Sequence, residues 1–300
     1  MEYHNFKELV SSVKAGNRRT VVVAAAQEVH TLKAVLKARQ EGAVECILVG
    51  KKQEIMRIAG ELDYQIEERV IVEAKEDTEA AYKAVEMIRN GQGDFLMKGR
   101  IETGTFLKQV VNKETGIGAG GTMCHMALME IPAYPKLLGL TDSGMVISPT
   151  LEQKADIIKA GVDMLRNMGI ENPKVACLTA VEKCNPNMPE TKESVLLKER
   201  AIAGEFGRCC VEGPISCDLT FSEEAARAKN YHSAVTGDAD LLLVPNMVTG
   251  NVLGKALIAM AGAKMAGCIL GAKVPVVLTS RGSSLEEKYN SLMLCARGIA

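Results

Sequence analysis

The sequence predicts an α/β fold of two domains, each a mainly parallel sheet flanked by helices. Three observations predict it. Short apolar runs rich in branched residues alternate with amphipathic stretches of helical period. The 300 residues exceed an average domain of about 150. Pro132 and Pro135, in EIPAYPKLLGLTDSG, separate two such alternations. The reading places 1–132 with 270–300 in a first domain and 133–269 in a second, because the late strand VPVVLTS needs a parallel sheet to join.

Each element follows in order. TVVVAAA is a buried strand by length and branching. EVHTLKAVLKARQEG reads as a helix ending at Gly42, and VECILVG as the next strand. KKQEIMRIAGEL is helical and ERVIVEA extended. DTEAAYKAVEMIRNG opens with Asp77 or Thr78 as cap and closes at Gly91. DFLMKG is a strand ending at Lys98 and Gly99. TFLKQVVNKET is polar at helical spacing, and TMCHMALMEI also reads as a helix. SPTLEQKADIIKAGVDMLRNMG is a long helix with Pro149 near its start, KVACLTA a strand and KCNPNMPETKES a polar loop. ADLLLV and GAKVPVV are further strands, and LEEKYNSLMLCA is the last helix.

Composition excludes several classes. With 36 basic and 37 acidic side chains the net charge is -1, so no basic field exists to hold nucleic acid. Aromatic residues are 4% with no Trp, which argues against base-stacking platforms. The most apolar stretch, ALIAMAGAKMAGCIL, is interrupted by Lys264 and too short to cross a bilayer. MEYHNFKELV does not read as a signal peptide. Nine Cys, an odd number without a CxxC pair, fit reduced thiols in a cytoplasm. The four His are scattered without metal-ligand spacing, so no metal is expected.

In open α/β sheets, functional groups collect at the C-terminal ends of strands. Lys98, Asp142, Asn246 and the pair Ser280–Arg281 stand at such ends. GIGAGGT carries a literal GxGxxG at Gly116, Gly118 and Gly121, but a dinucleotide fingerprint needs a strand before it, and the preceding segment reads as a helix. The alternative is a loop whose backbone N–H groups meet an anion at the start of the helix TMCHMALMEI, which brings in Thr122 and His125. The other reading of His125 is a satisfied, partly buried histidine. In VPNMVTGNVLGKAL, Thr249 or Asn251 either caps the helix or, with Asn246, Gly250 and Lys255, faces a phosphate.

The stretch LTSRGSSLEEK raises the sharpest question. Ser284 and Glu287 fit a capping box, which leaves Ser280 and Arg281 unexplained. The guanidinium fork suits a phosphate or carboxylate.

LTSRGSSLEEKYNSLMLCA resembles the C-terminal signature of the phosphate acetyl/butyryltransferase family, closest to its butyryl branch. FLMKGRIETGTFLKQVVNKETG, LEQKADIIKAGVDMLRNMGI, KVACLTAVEKCNPNMPET, VEGPISCDL and GDADLLLVPNMVTGN resemble the family in the same order, so the likeness spans nearly the whole chain from about residue 20. The resemblance implies an isocitrate dehydrogenase-like two-domain fold with the active site in an interdomain cleft. It implies the reaction acyl-CoA + phosphate ⇌ acyl phosphate + CoA, with CoA a substrate and no cofactor, and a homo-oligomer. Ser280 and Arg281 match the family's Ser–Arg pair, and Glu287 stands where the acetyl branch has Asp. Lys98, Gly99, Thr122, His125, Asp142, Asn246, Thr249, Gly250, Asn251 and Thr279 are the expected substrate-binding residues. The Gly116–Thr122 loop holds no Arg, although butyryl-branch members commonly carry one near it.

A free thiol of pKa about 8.5 is only a few per cent thiolate at neutral pH. An ordinary carboxylate, pKa about 4.3, is some 4 units too weak to deprotonate it outright, roughly 6 kcal/mol. Glu287 can therefore act as base only if desolvation raises its pKa or if proton transfer accompanies attack. The expected mechanism is direct thiol attack in a ternary complex, with Arg281 on the phosphate. The competing readings are an NAD-dependent dehydrogenase on a related fold and a non-catalytic sensor of CoA or acyl phosphate.

Overall fold

The computed structural model describes residues 2–280 and 282–299; Arg281 of the expected catalytic group lies outside the described residues. The chain divides into two compact units. The N-terminal unit joins Phe6–Gly120 to the chain from Met265 onward, and the central unit is Gly121–Lys264 with the residues up to Asn5. The boundaries thus fall after 120 and 264, where the sequence reading put them after 132 and 269.

In chain order the elements are α1 (Phe6–Ala15), β1 (Arg19–Ala24), α2 (Val29–Gln40), β2 (Val44–Gly50), α3 (Lys52–Glu61), β3 (Ile71–Glu73), α4 (Asp77–Arg89), β4 (Phe95–Lys98) and α5 (Thr103–Val110). There follow β5 (Cys124–Glu130), β6 (Leu138–Thr141), α6 (Leu151–Asn167), β7 (Lys174–Leu178), α7 (Pro189–Ile202), β8 (Cys210–Ile215), α8 (Cys217–Phe221), α9 (Glu223–Ala228) and β9 (Leu241–Leu243). The last are α10 (Met247–Ala261), β10 (Lys264–Leu270), β11 (Val276–Val277) and α11 (Leu285–Arg297).

In the N-terminal unit the strand order is β3-β2-β1-β4-β11-β10. All these neighbours pair in parallel except β10, which meets β11 antiparallel. Val21 to Ala24 of β1 are fully buried, as a parallel strand covered on both faces must be. The helices α2, α4 and α11 pack on its strands, and α11 also lies against α1 and α2. Gly42 and Gly91 end α2 and α4 at φ +75° and +69°, the left-handed stop that the sequence suggested.

In the central unit the order is β5-β6-β9-β7-β8. From β6 to β8 the strands are parallel; β5 meets β6 antiparallel. The fold is therefore α/β with mixed sheets. A full capping box, Thr150 with Gln153, starts α6, which packs on β6 and β9.

Several sequence expectations change. TMCHMALMEI is not a helix but contains β5. Met, Ala and Leu favour a helix locally, yet pairing of Ala127 with Leu140 and of Met129 with Leu138, and burial of Met126 to Met129, overrule that preference. The cap of α4 is Glu76, not Asp77 or Thr78. ERVIVEA opens with a 3-10 turn at Glu68–Val70, and PETKES belongs to α7, with its proline in the first turn.

A buried lysine of the central unit is paired with several carboxylates. Lys136 has a side chain only 5% exposed, and its ammonium contacts Asp240 at 2.7 Å, Glu2 at 3.2 Å and also Asp238. Asp240 in turn accepts the Lys174 backbone N–H at 2.7 Å, fixing the approach to β7 and β9. Lys136→Met leaves these carboxylates without their shared cation. It should cost about 3–5 kcal/mol of unfolding free energy, measured by denaturant titration. A change below about 1 kcal/mol would show that the network is solvated rather than supporting.

Candidate active site

The expected site residues fall into two groups, one in each unit. In the central unit β6 delivers Asp142, which is 2% exposed. Its Oδ1 accepts the backbone N–H of Gly144 at 2.7 Å and of Met145 at 2.9 Å, and its Oδ2 that of Val146 at 3.0 Å. A buried carboxylate must be hydrogen-bonded, and here it folds its own following turn around itself. That turn carries Ser143, whose Oγ lies 2.8 Å from His125 Nδ1 on β5.

The start of α10 packs on the same turn. Asn251 Nδ2 donates to the Ser143 carbonyl at 3.3 Å. Gly250 is there for space: a Cβ would stand 2.5 Å from the Asp142 carbonyl oxygen. The helix cap is Asn246, neither Thr249 nor Asn251. Its Oδ1 accepts from Thr249 N at 3.0 Å and Thr249 Oγ1 at 3.1 Å. The structure thus brings His125, Asp142, Gly250 and Asn251 together and adds Ser143, which the sequence reading missed.

Thr122 is held elsewhere. Its N–H and hydroxyl both donate to Asp156 on α6, at 2.9 and 2.8 Å. Because β5 is a strand, no helix N-terminus stands behind the glycine loop, and the anion site expected there loses its dipole.

Beyond the C-terminal ends of β7 and β9 opens a cavity of about 1030 Å³. Thr179, Asn246 and Thr249 line it beside the apolar Pro149, Val248 and Val252. Lys154, also on its wall, is 5% exposed and paired with Glu193. Neither was singled out from the sequence; a lysine and a glutamate within helices carry no signal of burial.

In the N-terminal unit β4 ends in Lys98, buried, with Nζ donating to the carbonyls of Gly99 at 3.2 Å and Ile101 at 2.8 Å. Gly99 is required by close approach, since a Cβ would lie 2.2 Å from the Ala25 carbonyl oxygen. After β11 comes Thr279, buried, whose Oγ1 accepts from Lys288 Nζ at 3.1 Å. Ser280 is exposed, and its Oγ accepts the Gly282 N–H at 3.3 Å.

The capping box expected at α11 is half made. Ser284 Oγ accepts the Glu287 N–H at 3.1 Å. The Glu287 carboxylate, however, accepts from the Ser283 hydroxyl at 2.6 Å. Glu287 is therefore presented on the Ser280–Ser283 turn instead of closing the cap. The turn itself is pinned by Ser283 N donating to the Ser280 carbonyl at 3.1 Å.

Among the described residues no group of three or more His, Cys, Asp or Glu side chains could hold a metal ion. Among them, too, no helix is long and apolar enough to cross a membrane.

Burial pushes the His125 imidazole below its ordinary value of 6.5, and the Asp142 carboxylate pulls the other way. A histidine depressed in the folded state keeps its neutral form to lower pH than it does in the unfolded chain. The folded state should therefore lose stability as pH falls below about 6.5, where the unfolded chain takes up the proton. A carbon-detected NMR titration should find His125 below 6.5; a value at or above it contradicts the burial. Asp142→Ala leaves three backbone donors without their acceptor. It should destabilise the protein by at least about 2 kcal/mol in denaturant titration and broaden the Ser143 and His125 resonances; an unchanged midpoint would show that the turn stands without the carboxylate.

Comparison with known proteins identifies the family. A family model described as "Phosphate acetyl/butaryl transferase" matches residues 73–296. The chain is 41% identical over 292 residues to the phosphate butyryltransferase of Clostridium acetobutylicum, covering 97% of each chain. It is 43% identical over 291 residues to the phosphate acetyltransferase of Thermotoga maritima, covering 97% of this chain and 99% of that one. Among solved structures, a branched-chain phosphotransacylase from Enterococcus faecalis superposes with a TM-score of 0.81 at 34% identity, covering 93% of this chain and 98% of the other. The chain belongs to the phosphate acetyl/butyryl transferase family.

Proposed function

We propose that the protein is a phosphate acyltransferase interconverting a short-chain acyl-CoA plus phosphate with acyl phosphate plus CoA. Butyryl or a similar short chain is the assigned acyl group. The reading includes a cytoplasmic homo-oligomer on an isocitrate dehydrogenase-like fold. The observation that carries it is the Glu287 carboxylate, which is held by Ser283 on the turn that bears Ser280 instead of serving the helix cap.

In the thioester-forming direction the CoA sulfur attacks the carbonyl carbon of the acyl phosphate. A C–S bond forms, the C–O bond to phosphate breaks, and the thiol proton passes to Glu287 as attack proceeds. Concerted transfer avoids the free thiolate, which is scarce at neutral pH. Ser280 hydrogen-bonds near the thiol or the tetrahedral oxygen. Arg281 is assigned to the phosphate, whose departure a bidentate guanidinium stabilises. Lys98, Gly99 and Thr279 in the N-terminal unit, and Thr122, His125, Asp142, Asn246, Thr249, Gly250 and Asn251 in the central unit, are assigned to substrate binding, directly or by shaping the backbone that binds.

The test is thioester formation from CoA with acetyl, propionyl and butyryl phosphate, followed in the ultraviolet. Turnover with butyryl phosphate preferred is expected. Glu287→Gln and Arg281→Ala should each lower kcat by about 10²–10⁴-fold with the fold intact by circular dichroism. An active Glu287→Gln variant removes the base assignment. No turnover with any acyl phosphate, despite CoA binding, overturns the enzyme reading in favour of a sensor.

A further inference from the structure

Lys288 follows Glu287 in the first turn of α11 and is 4% exposed. The placement is unfavourable on two counts. An ammonium at a helix N-terminus meets the positive end of the helix dipole. A buried ammonium also loses its hydration, and an apolar side chain of similar length would pack there without that loss.

The contacts show what the charge is used for. Nζ donates to Thr279 Oγ1 at 3.1 Å and stands 3.8 Å from Glu28 Oε2. Glu28 is itself rigid: as the cap of α2 it accepts from His30 N at 2.9 Å, Thr31 N at 2.8 Å and Thr31 Oγ1 at 2.5 Å. Lys288 therefore ties a fixed point on α2 to the residue immediately before Ser280. Its own backbone N–H bonds the Ser284 carbonyl at 3.1 Å, in the helical turn that carries Glu287. Burial lowers the affinity of Lys288 for its proton, while the charges of Glu28 and Glu287 restore part of it.

We infer that Lys288 is a positioning residue for acyl transfer, its ammonium holding the Thr279 hydroxyl so that Ser280 and Glu287 keep their mutual register. The inference rests on the acyl-transfer reading above. It is a statement about geometry at the reacting groups, where a displacement of about 1 Å can cost about 100-fold in rate.

The experiment is steady-state kinetics of the full chain with CoA and butyryl phosphate for wild type, Lys288→Met, Lys288→Arg, Thr279→Val and the Lys288→Met/Thr279→Val double variant. Lys288→Met should lower kcat by up to about 100-fold with KM for both substrates unchanged. Thr279→Val should lower kcat similarly, and the double variant should be no worse than the weaker single one, because both remove the same link. Lys288→Arg should recover part of the loss. Wild-type kcat in Lys288→Met, or a double variant that falls by the product of the two single losses, overturns the inference. If Lys288→Met does not fold, Thr279→Val decides, and wild-type kcat there overturns it equally. A wild type without turnover on any acyl phosphate fails the underlying reading instead, and the inference with it.

Discussion

The Asp142 carboxylate captures three backbone N–H groups from the turn that follows it, and the candidate site of the central unit depends on that capture. The turn lies after a buried strand, where its amide groups have no ladder partner. Left unsatisfied, each would carry a desolvation cost of about 1–3 kcal/mol. With the carboxylate among them, the turn becomes a fixed platform. Ser143 then meets His125, and Asn251 reaches back from α10 to the same backbone. Gly250 belongs to this arrangement because no larger residue fits against the Asp142 carbonyl.

The N-terminal unit meets the same constraint with a cation. Lys288 is buried against Thr279 and Glu28, and the adjoining turn is closed by hydrogen bonds from Ser283 to Ser280 and to Glu287. In both units a charged side chain is buried beside a strand end and hydrogen-bonded to the segment that follows that strand: Asp142 accepts backbone N–H groups of its turn, and Lys288 donates to the Thr279 hydroxyl. Polar groups made rigid in this way lose little freedom when substrate arrives, which is what preorganisation for group transfer requires. Gly99 contributes by letting the chain after β4 pass against the Ala25 carbonyl.

Much of this was readable from residue order. The branched run TVVVAAA, the long amphipathic α6 and the polar strand ends at Lys98, Asp142, Asn246 and Ser280 all stand where the patterns put them. The misreadings have specific causes. TMCHMALMEI has helix-favouring composition, and only pairing with β6 makes it a strand. At α10, Thr249 and Asn251 are as good caps by type as Asn246; the strand ending at Leu243 selects the earlier one. At α11 the S-x-x-E spacing was real, but the carboxylate took the Ser283 hydroxyl instead of the Ser284 backbone N–H, a choice that spacing cannot make. Lys288 gave no sign of burial, because a lysine near a helix start ordinarily faces solvent.

The central claim is that the acyl group passes directly to the CoA thiol without resting on the protein. Intact-protein mass spectrometry after incubation with butyryl phosphate in the absence of CoA tests this most directly. The account predicts no acyl adduct on the chain, together with prompt thioester formation once CoA is added. A butyryl adduct on a serine or cysteine, formed as fast as turnover and discharged by CoA, would contradict it.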